Sequence, residues 1–140
     1  MTFTIRTPKN TIYNEDRTKT TALVTTTGAL FKNNLSTGAL ELAVQTATQS
    51  EKLWRANETI AAADARVTVN CALLSPEDEL VVDSVNNSDV AHNGQRMILG
   101  TTGVTVNNTG TDVTGATGVF TQIGVVGAAA DKKIRVRLTV

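Results

Sequence analysis

The chain has 140 residues, 41% hydrophobic, 4% aromatic and 19% charged, with thirteen basic and thirteen acidic side chains. That is one domain's worth of polymer, able to bury a core without metal or disulfide support, and its zero net charge supplies no basic field to collect nucleic acid or an anionic membrane. A single cysteine, Cys71, excludes an internal disulfide, and a single histidine, His92, excludes a His-rich metal cage.

Residue usage sets the fold class. With 24 Thr, 16 Val, 11 Asn and 10 Gly, the chain is rich in β-branched residues that suit a pleated surface and in residues that tolerate tight turns. An all-β protein is predicted, a small β-barrel or β-sandwich, with a core of small aliphatic side chains that self-association would supplement.

Residues 1–27 carry ten threonines and few apolar groups beyond Phe3, Ile5, Ile12 and Leu23, so they read as an extended N-terminal arm ordered against something else. The alternation Thr2-Phe3-Thr4-Ile5-Arg6 suits either an edge strand added to a partner's sheet or a first strand of the chain's own domain. Residues 28–140 form the single β-rich domain. Thr21–Thr26 and Gly38–Val44 are β-like runs around turn residues at Phe31-Lys32-Asn33-Asn34. Residues 41–65 contain helix formers without a steady 3.6 spacing, which allows at most one short helix, and Lys52–Ala56 suits a strand equally well.

From Arg66 the β pattern is clear. Arg66–Leu74, Glu79–Val85, Gln95–Leu99, Val104–Asn107, Gly118–Val126 and Lys132–Val140 are predicted strands, parted by Ser75-Pro76, Asn93-Gly94, Thr101–Gly103 and a Gly/Thr/Asn loop at 108–117. In the last strand Ile134, Val136, Leu138 and Val140 share one face, for the core. Lys133, Arg135, Arg137 and Thr139 share the other, for solvent or a partner.

No constellation specifies a reaction, so no catalytic residue, no cofactor and no metal is expected. Cys71 alternates with Val67, Val69 and Leu73 and reads as a small buried hydrophobe. His92 precedes the Asn93-Gly94 turn signal and reads as solvated. The acidic residues Glu77, Asp78, Glu79, Asp83 and Asp89 lack the donor order of a calcium loop, because Val85 stands third from Asp83. Phosphate-binding glycine spacings are missing. The segment Met1–Pro8 has no apolar run of signal length and no stretch reaches the ~18 apolar residues of a membrane span, so a soluble protein made in a cytoplasm, with no membrane partner, is expected. The sequons at Asn34, Asn57, Asn86 and Asn107 read as chance in an Asn- and Thr-rich chain.

The segments Asp83–Leu99, Val106–Asp112 and Phe120–Leu138 together resemble the small capsid decoration, or cement, proteins of tailed bacteriophages. The resemblance covers roughly residues 66–140, with a looser match of the Thr-rich arm; Pro8 is the arm's one proline, fewer than many members have. It implies a non-enzymatic virion protein on the capsid exterior, a homotrimer that binds the major capsid protein after head expansion and holds neighbouring capsomers together. On that reading Phe3 and Ile5 are apolar anchors of a capsid-binding arm, with Arg6, Arg17 and Lys19 as its charged contacts. Trp54, Lys133, Arg135 and Arg137 are candidates for the subunit interface, with a core position as the alternative for Trp54.

Two rivals come from other classes. The trimeric dUTP hydrolases share size and β content, but their Asp-Ala-Gly-Tyr-Asp motif is missing and the one tyrosine, Tyr13, lies in Ile12-Tyr13-Asn14-Glu15. A receptor- or glycan-binding module is the alternative, although five aromatic residues leave little for a stacking platform. The zero net charge is itself a cancellation: residues 1–55 hold seven basic and four acidic groups, 56–131 two and nine, and 132–140 four and none. That segregation suits head-to-tail contacts between copies or with a patterned surface.

Overall fold

The computed structural model describes residues 4–7 (backbone), 14–19, 26–44, 52–61, 64–101, 104–108 and 118–139. The strands are β1 (Thr4–Thr7), β2 (Asn14–Thr18), β3 (Leu30–Asn33), β4 (Leu40–Leu42), β5 (Trp54–Ala56), β6 (Thr68–Leu73), β7 (Glu79–Ser84), β8 (Arg96–Leu99), β9 (Thr105–Asn107), β10 (Phe120–Val126) and β11 (Lys133–Leu138). Single 3-10 turns stand at Val90–His92 and Ala129–Asp131. The protein is all-β, in two sheets. No helix among the described residues is long and apolar enough to cross a membrane.

Both sheets close on themselves. In the first, the order β7-β11-β10-β8-β9 returns to β7 through a parallel pairing, Asp83 with Thr105 and Ser84 with Val106, while β1 takes the other half of the same β7 edge. In the second, β2-β6-β5-β3-β4 returns to the end of β2 through one parallel bridge, Lys19 with Leu40. The result is two small five-stranded rings, which remove most unpaired strand edges.

Side-chain alternation explains the packing. Leu80, Val82, Ile134, Val136, Phe120, Met97, Leu99 and Val106 fill the first ring, and Leu30, Ala43, Leu53 and Leu74 from the second sheet join the same cluster. The second ring holds Phe31, Leu40, Trp54, Ala56, Ile60, Val69 and Cys71. Strand β5 and the residue before it serve both cores, because Leu53 joins the first cluster while Trp54 and Ala56 join the second. That two-sided burial overrides the helix propensity of residues 41–65: β4 and β5 run there, and no helix forms in 41–44, 52–61 or 64–65. Residues 45–51 and 62–63 lie outside the described residues.

Other expectations shift at the boundaries. The turn predicted at Phe31–Asn34 moves on by three residues: Leu30–Asn33 is a strand with Phe31 fully buried, and the chain reverses over 34–38. Asn93-Gly94 is a turn with Gly94 at φ +87°, yet it does not join β7 to β8 as a hairpin. The 3-10 turn before it redirects the chain so that β8 pairs with β10 and β9. Two stretches of the arm are strands of the chain's own sheets, β1 against β7 and β2 against β6. Thr21–Val24 and Thr25, most of the first predicted β run, lie outside the described residues, as do 109–117.

Candidate functional site

Strand β2 brings Glu15 and Arg17 to the same side of the second sheet as Cys71 and Val69, their partners in register. Arg17 lies over the Trp54 ring, 4.8 Å from its centroid, and donates to Asn33 Oδ1 at 3.1 Å. The Trp54 indole N–H donates to Glu15 Oε1 at 3.2 Å, and Glu15 stands 3.7 Å from Arg17. These contacts close one mouth of the second ring. Trp54, 3% exposed, thus takes the core position that stood as the alternative to a subunit interface, and Arg17 is engaged over its ring within the chain. Lys19 is also buried, at 6% exposure, where the ring closes. Phe3 and the side chains of Ile5 and Arg6 lie outside the described residues.

Cys71 is fully buried inside this ring and its thiol donates to the Glu15 carbonyl at 3.6 Å. Burial, followed by the nearby Glu15 charge, pushes the thiol up to about 11, which keeps it protonated and unreactive at neutral pH. Arg55, on the strand shared by both cores, is lowered by burial.

The basic face of β11 is met by the acidic face of β7. Lys133 pairs with Asp83 at 2.8 Å, directly across the ladder, and Arg135 reaches Glu79 at 2.9 Å on the diagonal, with Arg137 3.7 Å from the same carboxylate. Gly124, at a bulge in β10, leaves the space in which the Arg135 guanidinium lies; a Cβ there would collide with it. The basic last strand and part of the acidic middle thus neutralise one another within the chain. Lys133 and Arg135, expected at a subunit interface, are intramolecular partners, and Arg137 is the most exposed of the three.

Two further acidic residues hold local turns. Asp78 Oδ2 accepts from the Ser75 amide at 2.9 Å, and Asp89 Oδ1 accepts from Ala91 at 2.9 Å as the cap of a 3-10 turn. Among the described residues no three His, Cys, Asp or Glu side chains are grouped to hold a metal ion.

Among the described residues the most exposed large apolar side chain is a leucine. Leu35, 91% exposed, stands at the tip of the β3–β4 hairpin. The tip is braced by Asn34, whose side-chain oxygen accepts from the amides of Ser36 at 2.9 Å and Thr37 at 3.1 Å and whose side-chain nitrogen donates to Glu41 at 3.1 Å. The Asn34 amide donates to Ala39 O and the Gly38 amide to Asn34 O, each at 2.8 Å, with Gly38 at φ +71°, a conformation glycine adopts without strain. An Asn-rich turn signal was legible at this place; that its leucine would project was not, because hydropathy predicts the opposite. Comparison with protein-family models, with curated proteins and with solved structures finds no match.

Proposed function

We propose that this chain is a structural protein of a phage virion that binds the outer surface of an expanded icosahedral head as a homotrimer and bridges capsomers of the major capsid protein. The observation that carries the reading is the braced hairpin tip with Leu35 held out in water. A leucine fixed in this way loses little further freedom on docking, and its full burial in a partner's pocket contributes about 1.5–3 kcal/mol. One such contact is weak. Three per trimer, engaged around a symmetry point of the shell, gain from effective concentration. The sequence resemblance of residues 66–140 supplies both the partner and the expectation of a role without catalysis.

The test is co-sedimentation with expanded, undecorated heads of the phage that encodes the chain, comparing the parent with Leu35→Asp. Because Leu35 is 91% exposed, the variant keeps its stability within about 0.5 kcal/mol. Its retention on heads falls at least about tenfold, the equivalent of 1.4 kcal/mol. Binding equal to that of the parent would overturn the reading. Deleting residues 1–20 is not a clean alternative, since it removes β2 and with it the Arg17 lid.

A further inference from the structure

The two rings repeat one plan. Taken by their order along the chain, the strands of each ring stand around it as first, fifth, fourth, second and third: β7-β11-β10-β8-β9 in one and β2-β6-β5-β3-β4 in the other. In both, neighbours are antiparallel except the third and the first, which close the ring in parallel. The registers coincide as well. Glu15 opposite Cys71 corresponds to Leu80 opposite Val136, and Phe31 opposite Trp54 to Met97 opposite Phe120. Asn33 opposite Leu40 corresponds to Leu99 opposite Val106, and the closing pair of Lys19 and Leu40 to that of Ser84 and Val106.

Bonds outside the ladders repeat too, which strand order alone would not require. The Gly28 amide donates to Ala56 O at 2.7 Å and the Gly94 amide to Gln122 O at 2.8 Å, with the two glycines at φ +86° and +87°. The Lys19 amide donates to Val67 O at 3.0 Å and the Ser84 amide to Lys132 O at 2.8 Å. Leu74 donates to Leu53 O at 2.9 Å and Thr139 to Val119 O at 2.8 Å. Strands β2–β6 and β7–β11 are therefore two versions of one unit, and β1, on the edge of β7, stands outside it. Few counterparts are the same residue, Gly28 with Gly94 and Leu73 with Leu138 among them, so the repeat does not show in the sequence.

Such a repeat is an internal comparison: what one copy lacks, the fold can do without. Inside the rings, Leu80, Val82 and Phe120 stand where the other copy has Glu15, Arg17 and Trp54. Phenylalanine has no N–H to satisfy, whereas the Trp54 N–H is met by Glu15, so this difference is settled within the chain. The hairpins differ in another way. Their spans, 34–39 and 100–105, are equal in length and closed by the same bond, from the Asn34 amide to Ala39 O and from the Gly100 amide to Thr105 O, each at 2.8 Å. After the closing amide the second ring carries Leu35, 91% exposed, and the first carries Thr101, also exposed. The unit thus closes its hairpin with a threonine there, and the leucine answers no need of the fold. Val67, 70% exposed, is a second case, since its counterpart is Lys132. The exposed apolar residues of the first ring, Val85 and Val90, lie between β7 and β8, and the matching stretch 20–25 lies outside the described residues. His92, in the same connection, is half-buried and not the solvated residue its turn signal predicted.

We infer that the second ring is the docking head of the chain, with Leu35 as the residue that sets its specificity, and that the first ring stands off the partner's surface. The inference rests on the reading of the chain as a capsid-binding protein and adds to it how bridging is done. One chain makes one attachment, so capsomers are joined by the oligomer and not by the two rings of a single chain. The occupant's counterpart is an apolar pocket on the major capsid protein, because a lone aliphatic side chain gains from burial only where it is fully enclosed.

The test is amide hydrogen exchange of the full chain, read by mass spectrometry, free and bound to expanded heads of the phage that encodes it. Amides of residues 34–38 slow at least about tenfold on the heads, and those of 85–93 and 100–105 stay within about twofold of the free chain. Leu35→Thr, which gives the second ring the residue of the first, keeps the melting temperature and lowers retention on heads about tenfold. Thr101→Leu leaves retention unchanged. Slowing at 85–93 or 100–105 with 34–38 unaffected would overturn the inference by making the first ring the head. A tenfold gain in retention from Thr101→Leu would overturn it by making both rings heads, on the order of 1.4 kcal/mol for the added contact. Either result leaves capsid attachment standing, whereas a parent chain that does not sediment with heads refutes capsid attachment and this inference together.

Discussion

Replacing Arg17 with alanine separates a structural arginine from a capsid contact. The substitution removes the hydrogen bond to Asn33, worth about 1 kcal/mol, and the stacking over Trp54, worth about 0.5–1 kcal/mol at a half-exposed site. The 3.7 Å pair with Glu15 adds at most about 0.5 kcal/mol, since its side chains are 30% and 48% exposed. The expected loss is about 1.5–2.5 kcal/mol, or roughly 4–8 °C in melting temperature for a domain of this size. Trp54 is the one tryptophan in the chain, so its fluorescence reports the site directly. Urea unfolding followed by that signal measures the stability change, and acrylamide quenching measures the uncovering of a ring that is now 3% exposed. A loss below about 0.5 kcal/mol with quenching unchanged would show that Arg17 does not cover the ring and would return it to the list of external contacts.

Two further outcomes follow from buried and strained groups. The folded state holds the Cys71 proton up to about pH 11 against an ordinary value of 9.0, so the unfolded chain releases it first and stability falls as pH rises between those values. The loss is on the order of 2–3 kcal/mol and is absent from Cys71→Ala; parallel pH profiles of urea midpoints for the two proteins would refute the assignment. Lys132 is the single non-glycine residue at positive φ among those described, at φ 53° and ψ 41°. Lys132→Gly therefore raises stability by about 0.5 kcal/mol, the relief of left-handed strain less the added entropy of the unfolded chain, and a lower urea midpoint would contradict this.

Residues whose environment repeats along the chain were the legible ones. The alternation of Ile134 and Val136 with Lys133 and Arg135 located β11 and its buried face within a residue or two, and Val69 and Cys71 did the same for β6. At the ends of such faces the rule fails: Val67 is 70% exposed and Leu73 39%, because the sheet no longer covers them. Contacts between segments distant in sequence were not legible. Nothing local in Arg17 signals Trp54, and the charge blocks at 56–131 and 132–140 looked available to other copies although Asp83 and Glu79 already face Lys133 and Arg135.

Among the described residues the second ring is joined at a single bridge, and that seam bears on how a Thr- and Val-rich chain avoids edge-to-edge stacking. A strand with an open backbone edge is a template on which other copies can stack. Beside the seam runs β2, Asn14-Glu15-Asp16-Arg17-Thr18, with three charged residues in five, and across it lies Glu41 on β4. Charge at such an edge discourages another strand from adding to it. The same charges are why residues 14–18 read as an arm and not as a strand. Their unsuitability as a sheet former is therefore a protection against aggregation, placed beside the bridge that closes the second ring.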